Sequence, residues 1–317
     1  MPVFIKKENE VIPKVSKLIC DKLFLTIHID PSKWKEVIRN LISLGHVKHF
    51  GGQYSYSYKF HMPKNIDANT GYFDDETKDS RVLIQCGPKN SLWRFMRIEF
   101  NPSKIFMLEL VALIEAIVPE ESYTELMLKA FVNRMDLTVD VQNVLVDLLY
   151  FYCKNASLTN VLTKSGKTIK LGGDSSPSQF CLYNKVAEII AKNGKKDKKL
   201  KDVVPPYDIS RIELRLREKK MRLEDYMVCQ NPFTRLSVWK FPKKAWSELS
   251  LNKLILKVAK YEGLQTALLL VKRSERRAFE KCAKPFLCEF WKPDDIWKEL
   301  PNVIGGILDP SAYYKPL

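Results

Sequence analysis

Short stretches in which apolar and polar residues alternate recur along most of the chain. Side chains of a β-strand point alternately to opposite faces, so this period of two predicts strands with one buried and one polar face. The segment from Tyr54 to Phe60, with an aromatic residue at every second position, is the clearest case. The predicted strands are 23–29, 53–61, 81–86, 92–100, 133–140, 168–171, 179–183 and 210–217.

Other stretches carry apolar residues at the spacing of a helix. The predicted helices are 33–44, 106–118, 122–131, one that starts near 185, 251–262 and 264–282, with Gly263 separating the last two. Strands and helices that alternate in this way predict an α+β fold. We expect an antiparallel sheet with helices on one face, followed by a helical C-terminal region.

The order of these elements divides the chain into three predicted domains. Residues 1–118 form an N-terminal α+β domain, 119–245 form a second domain that holds most of the polar motifs, and 246–317 form a basic helical region. Residues 96–100 (MRIEF) also resemble residues 210–214 (SRIEL). Duplication of a βαβ-like unit would explain this echo, but five residues leave the question open.

Composition places the chain among globular proteins. Hydrophobic residues make up 45% of its 317 residues and charged residues 28%, which is typical of a folded protein. The seven cysteines are scattered without CxxC spacing, which argues against disulfides and zinc. No apolar run approaches the roughly 18 residues that span a bilayer, and the N-terminus does not resemble a secretory leader. We therefore expect a cytoplasmic protein that does not bind membranes.

Charge is distributed unevenly along the chain, whose formal net charge is +15. Residues 161–317 contain 32 basic and 18 acidic residues, whereas residues 1–160 contain 20 and 19. Such asymmetry indicates a polyanionic partner, which means nucleic acid or an acidic membrane surface. A basic surface that serves only solubility is the other interpretation of this charge.

Three strands carry charged or reactive residues on one face only. These residues are Arg134, Asp136, Thr138 and Asp140 in the first, Tyr183 and Lys185 in and just after the second, and Arg211, Glu213, Arg215 and Arg217 in the third. If the apolar faces pack on helices, the polar faces meet on one exposed surface. An outer sheet face stabilised by salt bridges has the same pattern, so that alternative stays open.

These residue types suit the cutting of a phosphodiester. A tyrosine hydroxyl can attack phosphorus and hold the strand end as a phosphotyrosine. Two or three carboxylates can hold Mg²⁺ or Mn²⁺, which polarises the phosphate. Arginine and lysine neutralise the phosphate and the charge that develops on the leaving oxygen.

Four motifs in this order resemble the rolling-circle replication initiation factors of the Rep-trans type, which include plasmid initiators, conjugative-transposon relaxases and filamentous-phage initiators. The motifs are RMDLTVD (134–140), KLGGDSS (170–176), LYNKVAE (182–188) and RIELR (211–215). The segment RIEFNPSK (97–104) is similar to an earlier strand and turn of the phage-type members.

The resemblance implies a DNA nicking and rejoining enzyme with Tyr183 as nucleophile. Lys185 and Arg215 would assist at the phosphate, and a divalent metal, Mg²⁺ or Mn²⁺, would be held by Asp136, Asp140 and Glu213. The implied partners are single-stranded or supercoiled origin DNA, a host helicase, a host polymerase and a second copy of the chain in a homodimer.

The sequence departs from many rolling-circle enzymes in one respect. They bind metal through a histidine–hydrophobic–histidine triplet, which is missing here, since the only histidines are His28, His46, His49 and His61. The spacing of His46 and His49 fits a surface turn better than a metal site. A phosphate-binding GxxxxGK[ST] loop is also missing, which argues against helicase activity within the chain.

Basic residues inside and outside the motifs are the predicted DNA contacts. We expect DNA binding by Arg134, Lys195, Lys196, Arg211, Arg217, Arg273, Arg276 and Arg277. The last three lie in a C-terminal helix pair that is either a helical hairpin or a helix-turn-helix. Two other functions stay open, a relaxase for conjugative transfer and a nucleic-acid binder without catalysis, and Tyr207 and Tyr226 are the next candidate nucleophiles.

Overall fold

A computed structural model describes residues 12–45, 47–48, 53–62, 81–89, 95–154, 156–163, 166–193, 205–217, 221–247, 249 and 251–313. It confirms the α+β fold, with a large antiparallel sheet and a helical C-terminal region. The strands are β1 (Lys14–Val15), β2 (Ile19–His28), β3 (Val47–Lys48), β4 (Tyr54–His61), β5 (Arg81–Pro88), β6 (Phe95–Phe100), β7 (Phe131–Gln142), β8 (Tyr150–Cys153), β9 (Leu158–Thr163), β10 (Gly166–Leu171), β11 (Ser178–Asn184), β12 (Ile209–Leu216) and β13 (Leu236–Trp239).

One sheet contains most of these strands, in the order β3-β4-β5-β6-β2-β7-β12-β11-β10-β9, and β1 pairs with the end of β7. Neighbouring strands run antiparallel at every pairing among the described residues. Strands from the predicted first and second domains therefore lie in the same sheet, joined at β2 and β7. The strands β8 and β13 form a separate two-stranded sheet.

The large sheet consists of two halves with the same strand order. In the first half, β4, β5 and β6 follow β2 and lead back to pair with it; in the second half, β10, β11 and β12 follow β7 and lead back in the same way. Residues 96–100 and 210–214 lie in the corresponding strands β6 and β12, so the echo in the sequence supports duplication of the sheet.

The helices do not follow that repeat. In the first half a helix lies directly after β2, whereas in the second half the helix lies between β11 and β12. Their bounds are α1 (Trp34–Leu44), α2 (Met107–Ile117), α3 (Tyr123–Leu128), α4 (Lys185–Asn193), α5 (Lys253–Tyr261), α6 (Leu264–Leu269), α7 (Arg273–Ala283), α8 (Pro293–Trp297), α9 (Leu300–Leu308) and α10 (Pro310–Tyr313). Short 3-10 helices cover Val146–Leu148, Glu224–Val228, Pro232–Arg235, Lys243–Ser247 and Lys284–Phe286.

The main core lies on one face of the large sheet. Alternate residues of β2, β7 and β12 are fully or almost fully buried there, and α1, α2, α3 and α9 pack against them. The sheet contributes Leu23, Leu25, Ile27, Met135, Leu137, Val139, Ile212 and Leu214. Burial of such a side chain stabilises the fold by about 1.5–3 kcal/mol, so this face fixes the register of all three strands. The opposite face carries the charged residues of these strands.

A second, smaller core joins the two-stranded sheet to α5, α6 and α7. Its aromatic residues include Trp239, Phe241 and Phe279, whose rings pack with centroids 6.0–6.4 Å apart. The prediction of one helix over 264–282 is wrong, because α6 and α7 are separate. Lys272 is extended (φ −63°, ψ 156°), and its backbone N–H donates to the Glu275 carboxylate at 2.9 Å, which starts a new helix.

The chain returns to the main core at its end. The Tyr123 hydroxyl donates to the carbonyl of Ile307 at 3.0 Å, so α9 packs on α3 and not on the second core. In the part of the chain that the structure describes, no helix is long and apolar enough to cross a bilayer.

Candidate active site

The polar face of the large sheet brings predicted site residues together in cross-strand rows. One row contains Asp140 of β7, Arg211 of β12 and Tyr183 of β11, which are opposite each other in register. The next row contains Thr138, Glu213 and Cys181, and Arg215 lies opposite Asp136 in the row after that. Residues in direct cross-strand register share a face, so all of these side chains lie on the polar side.

A cavity of about 740 Å³ opens on this face. The predicted site residues that line it are Arg134, Asp136, Tyr183, Lys185, Glu213 and Arg215. The first half of the sheet contributes further basic lining residues, Lys22, Lys59 and Arg81, which the sequence did not single out. A cavity with this charge fits a polyanionic strand that crosses from one half of the sheet to the other.

Tyr183 lies near the end of β11, just before α4, and its hydroxyl faces the cavity. The hydroxyl donates a long hydrogen bond of 3.5 Å to Oε2 of Glu213. Burial raises the pKa of Tyr183 well above its usual value; nearby Arg211 opposes this shift and Glu213 adds to it. The hydroxyl is therefore protonated at neutral pH and needs a base before it can act as a nucleophile.

Glu213 is placed to be that base. Its side chain is buried, and burial raises its pKa, while Arg215 lowers it and Asp136 raises it further. A carboxylate with a raised pKa accepts a proton more readily than an ordinary glutamate. The sequence resemblance implies Glu213 as a metal ligand, whereas its Oε2 accepts a hydrogen bond from Tyr183 in the structure.

Asp140 and Arg211 form a buried pair behind the site. Arg211 donates from Nε to Oδ1 and from Nη2 to Oδ2 of Asp140, both at 2.7 Å, and its Nη1 lies 3.3 Å from Asp21. Neither member of the pair lines the cavity. Arg211 is only 6% exposed, which places it out of reach of DNA in this conformation.

The predicted metal ligands do not form one set. Asp136 and Asp140 are four residues apart on one strand, about 13 Å at the usual rise, which is too far for a shared ion. Arg134 binds both oxygens of Asp136, at 2.8 and 2.6 Å, as Arg211 does those of Asp140. Among the described residues, no three histidine, cysteine, aspartate or glutamate side chains are grouped to hold a metal.

Arg215 lies between the carboxylates of Asp136 and Glu213, which are close together. Its Nε is 2.5 Å from Oε1 of Glu213 and 3.9 Å from Oδ2 of Asp136. A guanidinium thus supplies positive charge at the point where an ion shared by Asp136 and Glu213 would bind. The side chain is 22% exposed, so it can also reach a phosphate in the cavity.

Lys185 begins α4 beside the cavity and is almost fully buried. Its Nζ lies 2.9 Å from Oε2 of Glu188, three residues further along the helix. Burial and the charge of Arg211 lower the pKa of Lys185, and Glu188 opposes that shift. An ammonium with a lowered pKa gives up its proton more easily than an ordinary lysine.

Asp21 is a site residue that the sequence analysis missed. It lines the cavity and accepts a hydrogen bond from Asn101 at 3.0 Å, which joins the segment 97–104 to the site. Strict alternation along β2 would place Asp21 on the apolar face with Leu23. A register shift between Cys20 and Lys22, relative to β7, turns it to the polar face instead.

The glycine-rich turn of the second motif is structural and lies at the opposite end of β11 from Tyr183. Gly172 has φ +106°, and a Cβ there would lie 2.8 Å from the carbonyl oxygen of Ser178. The side-chain amide of Gln179 donates to the Gly172 carbonyl at 2.8 Å and to Asp174 at 3.0 Å. The turn thereby fixes the register of β10 and β11 and so the position of Tyr183.

The predicted DNA-binding residues have different surroundings. Arg273 and Arg277 are exposed on α7, but Arg276 donates to the carbonyl of Leu268 at 2.9 Å and is held within the second core. Arg217 is partly buried and donates to Gln179 at 3.2 Å. Lys195 and Lys196 lie outside the described residues.

Comparison with known proteins finds a similarity in structure. No protein-family model matches the chain, and no curated protein matches it in sequence. Among solved structures, it is similar to the rolling circle replication initiator protein from Geobacillus stearothermophilus. The two are 13% identical, the match covers 92% of this chain and 98% of that chain, and the TM-score is 0.36. The function is therefore argued from the residues of the site.

Proposed function

We propose that this chain cuts and rejoins one strand of DNA through Tyr183 and thereby starts rolling-circle replication. The observation that carries the proposal is the contact between the Tyr183 hydroxyl and Glu213, a buried carboxylate with a raised pKa. This pair opens into a cavity lined by Arg134, Arg215 and Lys185. A nucleophile, a base and cations around one cavity are the parts that transfer of a phosphodiester requires.

In the proposed step, the Tyr183 oxygen attacks phosphorus and the bond from phosphorus to the 3′ oxygen breaks. The hydroxyl proton passes to Glu213, and the 3′ oxygen takes a proton from Lys185 and leaves as a hydroxyl. One phosphorus–oxygen bond forms as another breaks, so the phosphotyrosine retains the bond energy and the reverse reaction reseals the strand. The free 3′ hydroxyl is the primer for a polymerase.

Positive charge stabilises this step at two places. Arg215 and Arg134 lie where they can bind the non-bridging oxygens of the phosphate, and their bonds to Glu213 and Asp136 hold them in place. Such preorganised charge is commonly the largest contribution to catalysis of this kind. Arg211 behind Tyr183 favours the tyrosine anion as the proton leaves.

The residues present do not fit the predicted divalent metal as a three-carboxylate site. An ion shared by Asp136 and Glu213 would have to displace Arg215, because that guanidinium lies between them. The step above therefore uses side chains alone. Dependence on Mg²⁺ or Mn²⁺ stays a prediction of the sequence resemblance.

Origin DNA, single-stranded or supercoiled, is the partner that this function requires. A host helicase, a host polymerase and a homodimer are implied by the sequence resemblance only. The basic excess of the second half of the chain supports binding to DNA in general.

The proposal is tested with supercoiled DNA that carries the origin of the encoding replicon. We expect the wild-type protein to produce relaxed circles with protein attached, and Tyr183→Phe to produce none. Tyr207→Phe is the matched control, since Tyr207 was the next candidate nucleophile near β12, and it should cut normally. Equal cutting by Tyr183→Phe would reject the assignment of the nucleophile. If the wild type and both variants bind the DNA and none of them cuts it, the chain is a nucleic-acid binder without catalytic activity.

A further inference from the structure

Aromatic side chains of β6, β2 and β7 form a row on the polar face of the sheet, outside both cores. The rings of Phe95 and His28 are 6.4 Å apart and those of His28 and Phe131 are 6.1 Å apart, both edge to face. Tyr54, at the start of β4, extends the row, because its ring is 6.1 Å from that of Phe95. Each side chain is partly or fully exposed.

A fifth aromatic residue, Phe24, lies on the same face between this row and Tyr183. Three cations surround its ring, with Lys22 Nζ at 5.0 Å, Arg97 Cζ at 5.1 Å and Arg134 Cζ at 5.5 Å from the centroid. Nε of Arg97 is buried and has no hydrogen-bond partner among the described residues. We call Phe24, His28, Tyr54, Phe95 and Phe131 the aromatic track.

Strand register explains why Phe24 and His28 are on the polar face. His28 and Phe24 alternate with Ile27, Leu25 and Leu23, which are fully buried in the core on the other side. Salt bridges between charged side chains do not involve aromatic rings, and the rings of the track belong to neither hydrophobic core. An aromatic residue in this position fits a ligand that presents flat surfaces.

Side-chain contacts connect the track to the proposed nucleophile without a break. Arg215 joins Glu213, beside Tyr183, to Asp136, and Arg134 joins Asp136 to the ring of Phe24. From Thr138, opposite Glu213, to Phe131 the strand β7 advances seven residue steps, or about 23 Å. At the ~3.4 Å spacing of stacked nucleotides that length holds at most about seven of them.

From this arrangement we infer that the aromatic track binds the unpaired bases of the strand that is cut at Tyr183. Every base has a flat face that stacks on an aromatic ring, and cations beside the rings bind the backbone, so such surfaces hold single strands of any sequence. In a duplex the bases stack on each other, so duplex DNA gains little from the track. The link to cutting rests on the proposed function, whereas the binding of single strands does not.

Fluorescence anisotropy with a labelled oligo-dT of about 16 nucleotides, the upper end of a usual site size, tests this directly. A duplex of the same length is the second probe. Phe24→Leu and Phe131→Leu keep apolar bulk and remove the aromatic face. Tyr261→Leu is the matched control, because Tyr261 is 79% exposed at the end of α5, away from the track. Denaturation by urea verifies that each variant is folded. If Phe24→Leu does not fold, Phe131→Leu alone tests the inference.

We expect each track substitution to weaken single-strand binding about fivefold or more, the lower limit for loss of one stacked base, and to leave duplex binding unchanged. Tyr261→Leu should bind both probes as the wild type does. Unchanged single-strand binding in both track variants, or an equal loss for the duplex, would overturn the inference. If the wild-type protein binds oligo-dT through the track but cuts no origin DNA, the proposed function is removed and this inference is retained.

Discussion

Arg211 and Asp140 face each other across β12 and β7 and are joined by two hydrogen bonds of 2.7 Å. Their side chains are 7% and 10% exposed, so water competes little for either charge. The sequence resemblance assigns Asp140 to a metal, and the basic charge of Arg211 predicts DNA binding. The pair instead supports the strand on which Glu213 lies.

Loss of one partner should therefore destabilise the fold. We expect Asp140→Asn to lower the free energy of unfolding by about 3–5 kcal/mol, the usual result of leaving one buried charge without its partner. Urea denaturation measures the change. The control is Asp147→Asn, because Asp147 is exposed in the 3-10 helix that follows β7. A stable Asp140→Asn protein that requires more metal for cutting would support the metal role instead.

Removal of the proposed base should reduce the rate of cutting. Glu213→Gln preserves the shape of the side chain but cannot accept the Tyr183 proton, and we expect a loss of about 100- to 10,000-fold. Single-turnover cutting of a labelled origin strand gives the rate. Glu99→Gln is the control, because Glu99 holds the corresponding position of β6 in the first half of the sheet. Equal losses in the two variants would show that only charge in the cavity matters.

The rate should depend on pH in two limbs. Glu213 acts as a base when ionised, and burial raises its pKa above the usual 4.5, so cutting should decline as pH falls through that raised value. Lys185 acts as an acid when protonated, and burial lowers its pKa below 10.5, so cutting should also decline as pH rises through that lowered value. A single-turnover pH profile measures both limbs. Glu213→Gln should abolish the decline in rate at low pH. If the variant still shows that decline, another group is responsible for it.

The position of Arg215 predicts an effect on metal binding. Arg215→Ala leaves Asp136 and Glu213 close together without their shared cation, so we expect it to bind Mn²⁺ more tightly than the wild type does. Calorimetry with MnCl₂ measures the affinity, and Arg217→Ala, whose partner is Gln179, is the control. Equal affinity in all three proteins would mean that Arg215 does not occupy the position of an ion.

Alternation was sufficient to predict eight of the thirteen described strands and the common face of the site. The short strands β1, β3, β8 and β13, and the six-residue β9, were not predicted. Apolar residues such as Leu137 and Ile212 fix the register of their strands because burial acts on every second position. That register also determines which polar residues meet, so Tyr183, Glu213 and Arg215 could be grouped before any contact was known. The echo between β6 and β12 was a correct sign of the repeated sheet.

Contacts that depend on side-chain pairing could not be predicted in this way. Nothing local in the sequence says that Arg211 binds Asp140 and not a phosphate, because the two are 71 positions apart. Asp21 was missed because the register shift in β2 breaks the alternation, and the separation of α6 from α7 depends on the extended Lys272. The aromatic track was missed because its members come from four distant strands.

The most direct test of the central claim is to identify the amino acid that becomes attached to DNA. The wild-type protein is incubated with a single-stranded origin oligonucleotide, the covalent product is digested with trypsin and nuclease, and the nucleotide-bearing peptide is sequenced by mass spectrometry. The account predicts that the added phosphonucleotide is on Tyr183. Attachment to any other residue, Tyr207 and Tyr226 included, would contradict it.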